Sequence, residues 1–174
     1  MIHLPKSARD RLGLLKAEFD QAFASPQRAD ARDREGFLLV RVSGDAYAIR
    51  LNDVAALAAR PRIVPVPSRC PEFLGMAGHR GSLVALFSLP RLLNYGGAES
   101  APRWFVLLRA PGLPALAFEA YEGFAWIPTT ELRAVGDAAT RRYVTQAVHH
   151  ANSTRLIVDV PAILGALSQE TREN

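Results

Sequence analysis

Several residue types are scarce in this sequence, and each scarcity excludes something. Of 174 residues only Cys70 is a cysteine, so neither an intramolecular disulfide nor a cysteine-rich zinc site can form, which fits a reducing compartment. Histidine occurs four times, at positions 3, 79, 149 and 150, and none lies near Cys70 in sequence. That leaves few pairings of nucleophile and base, and no familiar catalytic signature is present. Lysine is confined to Lys6 and Lys16, so 19 of the 21 cations are arginine, with a net charge of +4. Arginine's planar fork suits phosphate recognition, but the arginines are scattered with no basic run of five, as an Arg- and Ala-rich codon bias also produces. No apolar run approaches the roughly 18 residues that span a bilayer, and residues 1–20 lack the apolar block of a secretory signal. The expectation is a soluble cytoplasmic protein without direct membrane insertion.

What is present is enough for a packed core: 49% of residues are hydrophobic and 22% charged, in one domain or two small subdomains. Over residues 7–24 the apolar positions Ala8, Leu12, Leu15, Phe19, Ala22 and Phe23 form one stripe, predicting an amphipathic helix with Ser7 as N-cap. A charged linker follows over 27–35. From Phe37 the texture shifts to strands. Residues 37–42 and 46–49 flank Ser43-Gly44-Asp45, a hairpin turn. Residues 52–59 read as short helical or irregular, and 63–67 as an extended segment whose prolines forbid a central strand. Strands are predicted at 83–87, 104–109, 116–121 and 125–127, with a short helix at 90–93. Short strands with Gly and Pro punctuation favour small β-barrels over a βαβ sheet.

One repeat organises the chain. Shifted by 71 residues, Leu83-Val84-Ala85-Leu86-Phe87-Ser88-Leu89-Pro90 lies over Thr154-Arg155-Leu156-Ile157-Val158-Asp159-Val160-Pro161. Both copies are a strand, a polar residue, an apolar residue and a proline suited to a first helical turn. This predicts two similar subdomains of about 70 residues each.

Candidate chemistry is sparse. Gly75-Met76-Ala77-Gly78-His79-Arg80-Gly81 has neither the spacing of a dinucleotide fingerprint nor the Gly-Lys-Ser/Thr of a P-loop. Its Gly78-His79-Arg80-Gly81 matches a loop that clamps nucleic-acid backbone, although a strand follows where a helix should. A small basic β-barrel binding nucleic acid through residues 78–81 is therefore the alternative function. Cys70 reads as a small buried residue, the adjacent His149 and His150 diverge without a third metal ligand, and Glu119, Glu122 and Asp159 form no acid-base pair. Trp104, Phe124 and Trp126 read as core. The expectation is a non-enzyme without cofactor or metal.

From Phe37 to Leu167 the order of features resembles the CheW-like domain, the coupling module of bacterial chemosensory arrays. The hairpin over 37–49, Pro65-Val66-Pro67, Gly75-x-x-Gly78-x-Arg80-Gly81 and the strand 83–89 are similar to the family's first half. Residues 117–121 and Ile157-Val158-Asp159-Val160 are similar to elements of its second. The chain departs from the family at Gly78 (usually Asn), Ala85 (Pro), Ser88 (Asp) and Gln146 (Gly), as a diverged member would. The extra N-terminal helix resembles the PilI branch, which serves type IV pilus systems. The resemblance implies a mainly β fold of two SH3-like five-stranded β-barrels side by side over 36–168. An N-terminal helix and linker over 1–35, a short C-terminal helix and a polar tail over 169–174 would flank it. It implies a chemotaxis adaptor that binds the regulatory domain of a CheA-type histidine kinase through the first barrel. The helical hairpin tip of chemoreceptors would sit in the apolar groove between barrels. The partner-binding residues carried over are Arg80, with Gly81 letting the backbone turn beneath it, then His79, Pro65, Val66, Pro67 and Leu86. Arg80 either makes bidentate contacts with a partner or holds a loop by bonding backbone carbonyls.

Overall fold

The structure, a computed structural model, describes residues 33–96, 101–136 and 141–172. The predicted helix at 7–24, and the linker as far as residue 32, lie outside the described residues. The chain forms β1 (Arg34–Val42), β2 (Asp45–Arg50), β3 (Val54–Ala59), β4 (Ile63–Val64), β5 (Phe73–His79) and β6 (Ser82–Ser88). A short helix α1 (Leu89–Leu92) leads to β7 (Trp104–Leu108), β8 (Ala115–Phe118), β9 (Ala120–Pro128), β10 (Arg133–Ala134), β11 (Val144–His150), β12 (Ser153–Val158) and α2 (Val160–Arg172). The last residues of the expected linker, Arg34 and Glu35, are already strand, and α2 runs through residues 169–172, where a polar tail was expected.

Two six-stranded sheets result, ordered β10-β11-β12-β2-β1-β9 and β3-β7-β8-β6-β5-β4. Read from opposite ends the orders match: a central hairpin (β1-β2 or β7-β8) flanked by one long edge partner and by a three-strand series. The repeat is therefore a hairpin followed by four strands, but the two copies are entwined. The hairpin of the first copy completes the sheet made by the last four strands of the second, and the reverse holds for β7-β8. Parallel pairings make both joins, Leu156↔Tyr47 and Ile157↔Ala48 in one sheet, Leu86↔Ala115 and Phe87↔Leu116 in the other.

The 71-residue offset holds in detail. Phe73 and His79 bound β5 as Val144 and His150 bound β11, and each strand has a bulge at its start, between Phe73 and Gly75 or Val144 and Gln146. Ser88 caps α1, its Oγ accepting from the Arg91 N–H at 3.2 Å, and Asp159 Oδ1 likewise accepts from Ala162 N–H at 3.0 Å. The departure from Asp to Ser at position 88 thus keeps the cap. Three two-residue hairpin loops have both central residues left-handed: Ser43-Gly44, Arg80-Gly81 and Ala151-Asn152.

Each sheet encloses its own apolar cluster, and a third lies between them. Phe37, Leu39, Ala125, Ile127 and Ile157 fill the first sheet, and Ala77, Val84, Leu86, Phe105 and Ala117 the second. Leu38, Val40, Tyr47 and Ile49 meet Val106, Leu108, Leu116 and Phe118 in the shared core, which α1 and the start of α2 cover. Because each sheet needs strands from both copies, and both share one core, neither can fold without the other. Calorimetry is expected to show one unfolding transition, and two resolved transitions would refute this coupling.

Several expectations are corrected. Residues 54–59 are the edge strand β3, paired with β7, not helical or irregular, because pairing supplies what the alanine-rich sequence lacks in β propensity. The strand predicted over 116–121 is broken: β8 ends at Phe118 and β9 begins at Ala120. The glycine-rich run over 75–79 is strand, paired to β6. Phe124 and Trp126 are not core; they are 64% and 59% exposed.

Candidate functional site

The hairpin β5-β6 ends in the Arg80-Gly81 turn. Arg80 has φ +47°, a conformation arginine adopts at a cost, and its exposed guanidinium makes no hydrogen bond or ion pair among the described residues. Of the two roles open to it, bonding backbone carbonyls is not the one seen. His79, half-buried, turns inward and meets Phe105 edge-on, ring centroids 5.8 Å apart. Gly81, at φ +82°, closes the turn.

On the outer face of this hairpin Val64, Met76 and Ala85 stand in cross-strand register, with Gly78 opposite Leu83. Val64 and Leu83 are 62% and 71% exposed, and Gly78 adds no side chain, so this end of the sheet is apolar and not covered by other described residues. Leu86 points the other way: it is fully enclosed in the second sheet's cluster, so it packs rather than presenting a contact. The strand parity puts Leu83 on the outer face instead.

Pro65, Val66 and Pro67 leave β4 and are all exposed. Lacking N–H groups, the prolines stop the ladder, and the segment departs along a path that Gly75 permits: a Cβ on Gly75 would stand 2.2 Å from Val64 O. At the corresponding place in β11, Gln146 pairs normally, opposite Ala134, and its side-chain oxygen accepts from Arg50, which also binds Glu35 at 2.9 Å. The departure from Gly at position 146 is therefore absorbed by a local polar contact.

The open mouth of the second sheet, between the end of β3 and the start of β4, is a groove of about 510 Å³. It brings His79 and Arg80 together with Val64, Phe105 and two residues that sequence reading missed, Arg60 and Arg62. No carboxylate lines it, and neither Arg60 nor Arg62 forms an ion pair among the described residues. Arg60 holds its backbone bend through its N–H, which donates to Arg103 O at 2.7 Å, at φ +52°. The signal in sequence was the Arg60-Pro61-Arg62 triplet, but only the fold sets it beside Arg80.

A second exposed feature lies on the first sheet. Phe124 and Trp126 alternate with the buried Ala125 and Ile127 along β9, opposite Leu38 and Gly36 of β1. They continue the face that carries the shared core. Trp126 lies over Gly36, where a Cβ would stand 3.1 Å from its ring.

His149 and His150 alternate across β11, as adjacent strand residues do, and no group of three potential metal ligands occurs among the described residues. No helix among the described residues is long and apolar enough to cross a membrane. Two like, entwined sheets around a shared core, with their exposed chemistry on open surface, define a two-sheet β domain built from a duplicated unit. The class narrows to one family: the CheW-like domain matches residues 36–168, and the chain belongs to the CheW-like domain family. The fold is similar to that of the scaffolding protein TtCheW from Thermoanaerobacter tengcongensis, with a TM-score of 0.65 and 13% identity over 72% of this chain and 88% of that one. No curated protein matches this sequence.

Proposed function

We propose that this chain is a non-enzymatic chemosensory adaptor that couples chemoreceptors to a CheA-type histidine kinase, in chemotaxis or type IV pilus motility. The observation that carries the reading is the CheW-like domain over residues 36–168, whose Gly-x-x-Gly-x-Arg-Gly hairpin presents an Arg80 with no partner among the described residues. The kinase regulatory domain would dock on the apolar outer face around Val64 and Leu83, with Arg80, His79 and the Pro65-Val66-Pro67 edge at its border. The receptor's helical hairpin would take the apolar surface where Phe124 and Trp126 extend the shared-core face, since exposed aromatics of that size anchor helices efficiently.

Arg80 provides the test. Asparagine accepts a left-handed conformation more readily than arginine, so Arg80→Asn should leave the melting temperature unchanged or slightly raised. Its affinity for the kinase regulatory domain or the receptor hairpin should fall about tenfold, the loss of one charged contact at an interface. Titration calorimetry with both partners reads this directly. Unchanged affinity for both would remove Arg80 as a contact, and no binding of either by the unaltered chain would remove the adaptor reading.

A further inference from the structure

We infer that the groove at the mouth of the second sheet receives an acidic, amphipathic segment of a partner protein, held by Arg60, Arg62 and Arg80 over an apolar floor. This rests on the reading of the chain as a docking module, and adds the chemistry of what docks. The argument is charge complementarity. Among the described residues, three exposed arginines from two places in the sequence, the Arg60-Pro61-Arg62 triplet and Arg80, converge on one groove that contains no carboxylate and gives none of them an ion pair.

Several other arginines of this domain are engaged: Arg41 and Arg155 bind Glu122, Arg50 binds Glu35, Arg141 stacks on Tyr95 at 3.6 Å, and Arg91 donates to Pro71 O at 2.6 Å, while Arg34, Arg69, Arg103 and Arg109 make no such side-chain contact among the described residues but stand outside the groove's lining. What sets the groove apart is that three guanidinium groups without a partner among the described residues line one concave surface. Two of them also sit at left-handed φ, +52° at Arg60 and +47° at Arg80, positions where the backbone would be less strained with glycine or asparagine.

The floor decides which polyanion fits. Ala58 and Val64 offer aliphatic surface, while Phe105 is 2% exposed and packed edge-on with the half-buried His79, so neither ring presents an open stacking face. Single-stranded nucleic acid needs an open stacking platform. An amphipathic helix that sets carboxylates on the face adjoining its apolar one matches both layers, its carboxylates facing the arginine forks in bidentate geometry.

The probe is a fluorescein-labelled 18-residue helical peptide with Glu and Leu on adjoining faces, titrated by anisotropy into the full chain. A peptide with Gln for every Glu and an 18-nucleotide single-stranded DNA serve as comparisons. The Glu peptide is expected to bind, to weaken steeply as salt rises, and to lose about thirtyfold in affinity to R60E/R62E, as reversal of two contact charges implies. Amide shifts in a nitrogen-15 spectrum should centre on Arg60, Arg62, His79 and Arg80. Because Arg60 holds a backbone bend, R62E alone, outside that bend, is measured as the second variant and should lose affinity in the same direction. Equal binding of the Gln peptide, indifference to both variants, or tighter binding of the DNA would each overturn the inference. Its failure is separable from that of the adaptor reading. If kinase domain and receptor hairpin bind while the peptide series is flat, only the acidic groove is lost; if the peptide behaves as expected while neither protein binds, only the adaptor role is lost.

Discussion

Gly75→Ala is expected to lower the melting temperature by about 10 °C and to remove the docking edge with it, from a cost of about 3–4 kcal/mol at the few degrees per kcal/mol usual for a chain of this size. Gly75 has φ +130°, a region that residues with a Cβ avoid, and the added carbon would stand 2.2 Å from Val64 O and 3.0 Å from Pro65 Cα. Both obstacles are backbone, so no rotamer change relieves them. The strain is released by β4 leaving β5, which breaks the Ile63↔Ala77 and Val64↔Met76 pairings and frees the Pro65-Val66-Pro67 edge. Gly78, three residues on in the same strand, is the control. Its φ is ordinary and nothing lies within 4 Å of its Cβ position, so Gly78→Ala should move the melting temperature by no more than about 2 °C. The same open space would accept an asparagine side chain. An unshifted melting temperature for Gly75→Ala, measured by circular dichroism, would show that β4 is not held against β5 in this way.

Gly75 also marks where the sequence was readable and where it was not. The repeat was legible because strand, cap, apolar residue and proline recur in fixed order, and the caps at Ser88 and Asp159 make the same bond. The Ser43-Gly44 turn was legible because glycine there has a local conformational reason. β3, by contrast, is Val-Ala-Ala-Leu-Ala-Ala, with little β propensity of its own, and β5 and β11 carry glycines or histidines where strand residues are usual; tertiary pairing makes them strands. Entwining was invisible because it is a matter of pairings between the two copies, such as β1 with β9 and β6 with β8, that no local pattern encodes. Leu86 reads as a contact residue in the sequence because Leu83-Val84-Ala85-Leu86-Phe87 is apolar throughout, and such a run does not reveal which parity faces inward. Arg60 and Arg62 carried no motif; they acquire their meaning from a neighbour some 20 residues away. Phe124 and Trp126 defeated the rule that large aromatics fill cores because the face they occupy outruns the sheet that covers it.

Glu122→Leu is expected to destabilise the domain by about 2–3 kcal/mol, because it strands a buried arginine. Arg155 is 6% exposed; its Nη1 donates to Glu122 Oε2 at 2.8 Å and reaches Tyr47 O only at 3.5 Å, while its Nε has no partner. Arg41 holds the other oxygen, Nε to Oε1 at 2.8 Å. One carboxylate thus ties β12, β1 and the edge strand β9 together over the end of the first sheet's apolar cluster. Glu122 is 26% exposed and Arg41 40%, so water screens part of the attraction, and the cost belongs at or below the lower end of that usual for a broken buried pair. Burial alone would push the Glu122 carboxyl up, but hydrogen bonds from Arg155 and Arg41, and their charges, outweigh it and leave its pKa below the usual glutamate value. A carboxyl depressed in the folded state stabilises above its unfolded pKa and loses that contribution as pH falls through the folded one. The melting-temperature gap between the unaltered chain and E122Q should therefore be widest above about pH 5 and shrink on acidification, starting near the ordinary glutamate pKa of about 4.3. Asp53, whose carboxyl burial raises, has the opposite pH dependence but is common to both proteins and cancels in the difference. Adding Arg155→Met to Glu122→Leu removes the stranded charge, so the double variant should be more stable than Glu122→Leu alone. A double variant no better than the single one, or a gap that does not change with pH, would place the worth of Glu122 in its backbone position at the β9 bulge and not in the charge it offers to the two arginines.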